Sequence, residues 1–284
     1  MRSIALSAAL MCAFVGEAWS WGQEGHSIIA EIAQHRLARE SPTTMEKIQG
    51  LLGPGVSLAS IASWADDYRD DDPGTYNWHF VDIPITQDSY DAEKECARTP
   101  KGDCVVNELD RLRNDVRCKR GDEQQRALKF AVHFVGDIHQ PLHTVADKQG
   151  GNQVDVVVFM HGARCKSDCR MTRSHNNLHA VWDSVLIQMT TWDWGAYVTR
   201  LENGWLKNPE GQKQSIDAIN VVQWAKDTHQ VAQQVWKLSF AKDVLDEPYY
   251  ETVLPLLDQQ LGLAALRLAA FLKDAFSSDQ CPVP

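Results

Sequence analysis

The chain has 284 residues, 44% of them hydrophobic, which is enough for one large domain or two small ones with a substantial core. Its formal net charge is −10 and its isoelectric point about 5.4, which argues against a basic groove that grips long duplex DNA by charge. Nucleic acid is not excluded, because bound divalent cations add positive charge that the formal count omits.

Residues 1–20 read as a secretory signal. Arg2 precedes an apolar run from Ile4 to Val15, and the small residues Ala18 and Ser20 fit a cleavage site that leaves Trp21 as the new N-terminus. The apolar run is too short for a membrane span and no later segment qualifies, so a soluble protein, secreted or periplasmic, is expected. Cys12 leaves with the signal, and six cysteines remain. An even number in an exported chain reads as three disulfides. The expected pairs are 165–169, 104–118 and 96–281. A zinc ribbon would need the CxxC spacing, which is absent.

The mature chain opens on Trp21-Gly22-Gln23-Glu24-Gly25-His26, followed by apolar residues at helical spacing to about Arg39. Met45 to Leu52 reads as a short helix ended by Gly53-Pro54-Gly55, and Leu58 to Arg69 as another. Asp70 to Gly74 is an acidic turn, and Tyr76 to Ile83 reads as extended or irregular chain. Val105 to Arg117 and Glu123 to His139 are helices, and Gly150-Gly151-Asn152 is a tight turn. Val154 to Met160 is the one convincing β-strand, with Gly162 to Arg173 as a loop or hairpin return. Helices follow at Asn177–Met189, Trp192–Leu206 and Ser215–Ser239. A long one runs from Tyr249 to Phe276, interrupted or kinked only at Pro255. No repeat or linker divides residues 21–284, so one mainly α-helical domain with a short β-hairpin is expected.

The stretch from Ala131 to Thr144, AVHFVGDIHQPLHT, organises the rest. His133 and Asp137 are four apart and share a helix face. Pro141 ends regular helix and leaves His143 on the turn beyond, free to point back. An amphipathic helix with scattered polar residues would bury these groups unpaired among Val132, Phe134, Val135 and Ile138, which is costly. A zinc-type cation satisfies them together. The i, i+4 pair recurs at His179 and Asp183. With Asp66, His79, His143 and His26 the count reaches five histidines and three aspartates, more than one four-coordinate site needs. Two or three ions are implied, and paired metals are a recurrent solution for in-line phosphoryl displacement.

The motifs WGxxGH, WADxYR, WHFVDIP, HFVGDIHQPLH, GGNxxxV and NLHxxWD occur in this order from Trp21 to Asp183. Together they resemble the S1/P1 nucleases, single-strand-specific enzymes with three zinc ions and a mainly α-helical fold shared with zinc-dependent phospholipase C. The resemblance implies a first zinc held by Asp66, His79, His133 and Asp137. A second, more open one is implied at His143, His179 and Asp183. A third takes His26, the other oxygen of Asp137, and Trp21 through its α-amino nitrogen and carbonyl oxygen. Asp137 thereby bridges two ions. Arg69 matches the cation that meets the phosphate, Phe80 and Asp82 match the base pocket, and Asn152 lines the site.

The implied activity is hydrolysis of single-stranded DNA and RNA to 5′-phosphate products, with 3′-nucleotidase action on nucleotides as an additional expectation. A monomer is expected. Zinc chemistry fits independently, since the ion lowers the pKa of its water to about 7 and so supplies a nucleophile near neutral pH. Arg69 would offset charge gathering on the phosphoryl oxygens. His139 is read as a supporting rather than a ligating residue, and Asp67 as a solvated neighbour of Asp66. His35, His161, His175 and His229 are read as surface or structural. Two other functions stay open. One is a phospholipase C of the same fold, whose last ligand pair is, by resemblance, histidine and glutamate rather than His179 and Asp183. The other is an exported zinc-binding protein without turnover, which has no need of Arg69 or Phe80.

Overall fold

The computed structural model describes residues 21–208, 219–241, 244–277 and 281. The expected signal segment lies outside the described residues, as does the start of the helix expected from Ser215. The chain is mainly helical. α1 (Gln23–Glu40), α6 (Val105–Cys118), α7 (Gly121–Asp137) and α12 (Glu247–Ser277) pack around a shared core, and α2 (Pro42–Leu52) closes one side. From Ala127 to Asp137, α7 buries every residue except Lys129, so its C-terminal half is surrounded by protein. Such a helix can present polar side chains inside the core only if they find partners. α12 runs through Pro255 without a break in its helical assignment, so the expected interruption is absent. Its apolar residues on both sides are anchored in the core, which outweighs the loss of one backbone donor.

The helix expected from Leu58 to Arg69 is two helices, α3 (Leu58–Ile61) and α4 (Trp64–Asp71). The break at Ala62 and Ser63 frees a carbonyl used by the site described below. The acidic stretch is partly helical, since α4 reaches Asp71. A 3-10 turn at Pro73–His79 replaces the first half of the expected extended segment. Pro73 sits at its first position, and Asp72 caps it by accepting from Gly74 N at 3.0 Å. α5 (Ala92–Glu95) is a single turn.

β1 (Asp155–Phe159) and β2 (Ser174–Asn177) form the anticipated hairpin, and β3 (Val244–Asp246) adds a parallel strand that sequence reading did not anticipate. Three residues are too few to carry a periodic signal. After β2, α8 (Leu178–Ala180), a π-turn (Val181–Val185) and α9 (Leu186–Thr190) follow without a gap. α10 (Trp194–Asn203) and α11 (Val221–Ser239) complete the helices, and α11 begins six residues after Ser215.

Cys165–Cys169 pairs as expected, but the other two pairings are Cys96–Cys104 and Cys118–Cys281. Cys104 caps the start of α6 and Cys118 is the last residue of that 14-residue helix. A helix of this length spans about 20 Å, whereas bridged Cα atoms lie within about 7 Å. The 104–118 pairing is therefore sterically impossible, and each cysteine bonds to a neighbour off the helix end. None of the described helices is long and apolar enough to cross a membrane.

Candidate metal centre and substrate cleft

Seven elements deliver the polar side chains. His26 comes from the first turn of α1, Asp66 from α4, and His79 from the end of the 3-10 turn. His133 and Asp137 come from the last turns of α7. His143 follows on a 3-10 turn at Pro141–Thr144, and His179 and Asp183 come from α8 and the π-turn. All eight are buried. The π-turn keeps His179 and Asp183 on one side, with Nε2 and Oδ2 3.5 Å apart.

Backbone carbonyls set the orientation of three rings. His133 Nδ1 donates to Ala62 O, His143 Nδ1 to His79 O, and His179 Nδ1 to Gly150 O, each at 2.7 Å. In a neutral ring a donating Nδ1 leaves the lone pair on Nε2; His133 Nε2 faces Asp137 and Asp66, and His179 Nε2 faces Asp183. Gly150 has φ +58°, and a Cβ there would stand 2.6 Å from Leu142 O and 3.2 Å from His179 Nδ1. The tight turn is thus required for the ring to reach its acceptor.

The four residues expected for the first site converge. His79 Nδ1 lies 3.0 Å from Asp137 Oδ2 and 3.1 Å from His133 Nε2. Asp66 Oδ1 lies 3.6 Å from His133 Nε2 and 3.7 Å from His79 Nδ1. His143, His179 and Asp183 form a second group whose ligand atoms all lie within 4.8 Å of one another. A third group joins His26 to Asp66 and His133 within the same limit, and His26 Nε2 is also 3.3 Å from Asp137 Oδ1. His26 stacks on His133 with ring centroids 3.9 Å apart. A Cβ at Gly136 would stand 2.7 Å from His26 Nδ1, so a larger residue there would displace the ring. Trp21 is fully buried and donates its indole N–H to Gly136 O at 2.9 Å, beside Asp137. Its neighbour Gly22 donates to Asp183 O at 2.9 Å.

Burial dominates the titration of most of these groups. It lowers His79 to about 4 and His179 to about 3, and it lowers His143 and His26 as well. These imidazoles are neutral at pH 7, the form that binds metal. His133 runs the other way: burial opposes its charge, but Asp137 and Asp66 raise it to about 10. Burial would raise Asp66, but His133 and His79 hold it at about 2. A proton on His133 thus occupies the electrostatic position that a cation would fill. Burial pushes Asp183 well above the usual carboxylate range.

The donor set fits metal ions. His79 Nε2 and His143 Nε2 are buried without a hydrogen-bond partner, a costly state that ligation would relieve. Mixed imidazole nitrogen and carboxylate oxygen suit a zinc-like ion. The groups differ in access. A cavity of about 740 Å³ is lined by His79, His143 and His179, whereas His26, Asp66, His133 and Asp137 lie beneath it. Arg69, Phe80, Asp82 and Asn152 line the same cavity. Arg69 Nη2 is 3.2 Å from Asp66 Oδ1, which ties the cation to the buried cluster. Asn152 donates its side-chain amide to Gln149 O at 2.8 Å.

The residues expected to lie elsewhere do so. His139 donates Nδ1–H to Val135 O at 2.7 Å and accepts from Arg267 Nη1 at 3.0 Å, which ties the end of α7 to α12. Asp67 is exposed, as is His175. His35 and His161 pair with glutamates near the surface. His229 is buried and bonds Thr144 O at 2.7 Å. Sequence reading missed Gln140. Its Nε2 donates to Asp183 Oδ1 at 2.6 Å and its Oε1 accepts from Leu142 N at 2.5 Å, so it steadies Asp183 and the turn that carries His143. The only sequence signal was its place inside HFVGDIHQPLH.

The comparisons with known proteins agree with this geometry. The sequence model of the family described as S1/P1 Nuclease matches residues 21–277. The chain is 29% identical over 289 residues to Nuclease PA3 of a Penicillium species, covering 91% of this chain and 99% of that protein. It is 29% identical over 288 residues to Nuclease P1 of Penicillium citrinum, with the same coverage of 91% and 99%. To Nuclease S1 of Aspergillus oryzae it is 29% identical over 297 residues, covering 95% of this chain and 96% of that protein. With the match running from Trp21, the start of the buried cluster, to the end of α12, the chain belongs to the S1/P1 nuclease family.

Proposed function

We propose that the protein is a zinc-dependent endonuclease that hydrolyses phosphodiester bonds of single-stranded DNA and RNA to 5′-phosphate products and also removes 3′-phosphate from nucleotides. The observation that carries this reading is the combination of a buried His/Asp cluster with a cavity lined by Arg69, Phe80 and Asp82. Three zinc ions are proposed. Asp66, His79, His133 and Asp137 would hold the first, His143, His179 and Asp183 the second, and His26, Asp137 and the Trp21 backbone the third. Bound zinc would supply an activated water and stabilise the leaving oxygen.

The chain's own residues do the rest. Arg69 would draw the scissile phosphate to the cavity floor and offset its developing charge. Phe80 would stack the base, Asp82 would accept from the base edge, and Asn152 would line the strand's path. Gln140 would fix the rotamer of Asp183. The proposal includes export, with residues 1–20 removed as a signal, a secreted or periplasmic location and a monomeric state; three disulfides accord with an oxidising compartment.

The test is elemental analysis of the mature protein coupled to a substrate panel. Three zinc ions per chain, and cleavage of single-stranded DNA and RNA that stops with chelator, are the expected results. A single tightly held metal in an active sample would sink the three-zinc assignment. Turnover of phosphatidylcholine instead of nucleic acid would make it a phospholipase C, and metal binding without hydrolysis a zinc carrier.

Strand preference follows from the base pocket. A base stacked on Phe80 must leave the helix stack, which costs a few kcal/mol in a duplex. The net charge of −10 gives no general attraction to offset that cost. Single strands should be cut faster than duplexes at matched salt. Phe80→Ala should raise KM about tenfold with metal content intact, and equal cleavage of single and double strands would count against this pocket.

A further inference from the structure

The loop closed by Cys96–Cys104 is built onto the wall of the cavity. It folds sharply, with Thr99 and Gly102 exchanging backbone hydrogen bonds of 3.0 and 3.1 Å. Its tip is seated on the 3-10 turn: Lys101 O accepts from Asn77 N at 2.9 Å, and the Asn77 side chain donates to Thr99 Oγ1 at 3.1 Å. Gly102 has φ +100°, and a Cβ there would stand 2.6 Å from the Trp78 ring, so only glycine permits this seating. The result is a fixed position for Lys101. Its Nζ lies 4.8 Å from the centroid of the Tyr76 ring, and the Arg69 guanidinium lies 5.8 Å from that centroid. Tyr76 is 45% exposed and stands edge-on to Phe80 at 6.0 Å. Tyr76 and Lys101 both line the cavity, and the roles proposed for Arg69, Phe80 and Asp82 use neither.

An exposed aromatic ring with two cations within about 6 Å of its centroid, next to a base pocket, is the composition of a single-strand platform: bases stack on rings while cations track phosphates. We propose that Tyr76 and Lys101 form a second nucleotide subsite, in which Tyr76 stacks the base adjoining the one on Phe80 and Lys101 meets its phosphate. This rests on the nuclease reading above. Asp70 lines the same wall and would repel a phosphate. The strand is therefore drawn toward Lys101 rather than along Asp70. The subsite gives the enzyme a preference for chains over single nucleotides without a basic groove.

The test compares wild type with Tyr76→Ala, Lys101→Gln and Lys101→Arg. Two quantities are read: KM for a single-stranded oligonucleotide, and the inhibition constant of a 5′-mononucleotide. Tyr76→Ala should raise the oligonucleotide KM about tenfold. Lys101→Gln should also raise it and flatten the log–log salt dependence by about 0.7, with Lys101→Arg restoring both. Mononucleotide inhibition should be unchanged in all three, and anisotropy of a labelled phosphorothioate strand should report the same loss of binding. Equal loss for strand and mononucleotide would place the damage in the first pocket and overturn the subsite. Unchanged values for both ligands would also overturn it. A wild-type protein that cuts no single strand would instead remove the nuclease reading, and the subsite with it.

Discussion

Asp137→Asn is expected to be the most damaging single carboxylate change, with loss of more than one zinc ion and a fall in turnover beyond the 10–100-fold typical of residues that merely support a metal ligand. Asp137 Oδ2 faces His79 and His133 at 3.0 and 3.1 Å, while Oδ1 faces His26 at 3.3 Å. An amide keeps one acceptor and replaces the other with a donor, so one side of the cluster loses its anion whichever way the group is turned. The negative charge that supports His133 disappears as well. Asp67→Asn, on the exposed side of α4, serves as the control and should leave metal content and turnover unchanged. Elemental analysis beside the kinetic assay reads the result, and near-normal metal in Asp137→Asn would refute the bridging role.

The second large effect concerns the N-terminus. Protein beginning at Trp21 should be active, whereas protein with one extra Gly before Trp21, or with residues 1–20 retained, should have little activity. An α-amino group has a pKa of about 7.7–8.0 and yields its proton to a metal readily. A peptide nitrogen at the same position is a poor ligand. The Trp21 side chain is fully buried and its indole is bonded to Gly136 O, so Trp21 is anchored beside the residue that precedes Asp137. One added residue would thus cost nearly as much as the whole signal. The three proteins are refolded with excess zinc and compared for specific activity and zinc per chain. Equal values in all three would require the third zinc to be withdrawn.

Much of the site was legible because its ligands obey helix periodicity. His133/Asp137 and His179/Asp183 are each four apart, and the chain carries too many such groups for an ordinary core. His143 was placed by Pro141, and Asp66 and His79 entered on count alone; only the family resemblance assigned them to particular ions, because they lie near element ends where no period operates. The split between α3 and α4 was invisible, since Leu58 to Arg69 has no helix breaker. The reason for the split is tertiary: Ala62 O is needed by His133, seventy-one positions away in the chain. Two of the three disulfide pairings failed for a simpler reason. The expected helix from Val105 to Arg117 already sets Cys104 and Cys118 at opposite ends, and the 104–118 pairing ignored its length. Gln140, Tyr76 and Lys101 carry no signal of their own, because a glutamine, a tyrosine and a lysine are commonplace until their neighbours are known.

The three imidazole-to-carbonyl bonds have a consequence for the order of assembly. Ala62, His79 and Gly150 fix the rings of His133, His143 and His179 through hydrogen bonds made within the chain. A metal captured there would demand less reorganisation of those rings. Under the proposed function, metal would load last, onto a finished scaffold. Which ion entered would then be governed by the supply in the compartment where folding ends, since affinity alone would favour copper over zinc at such donors.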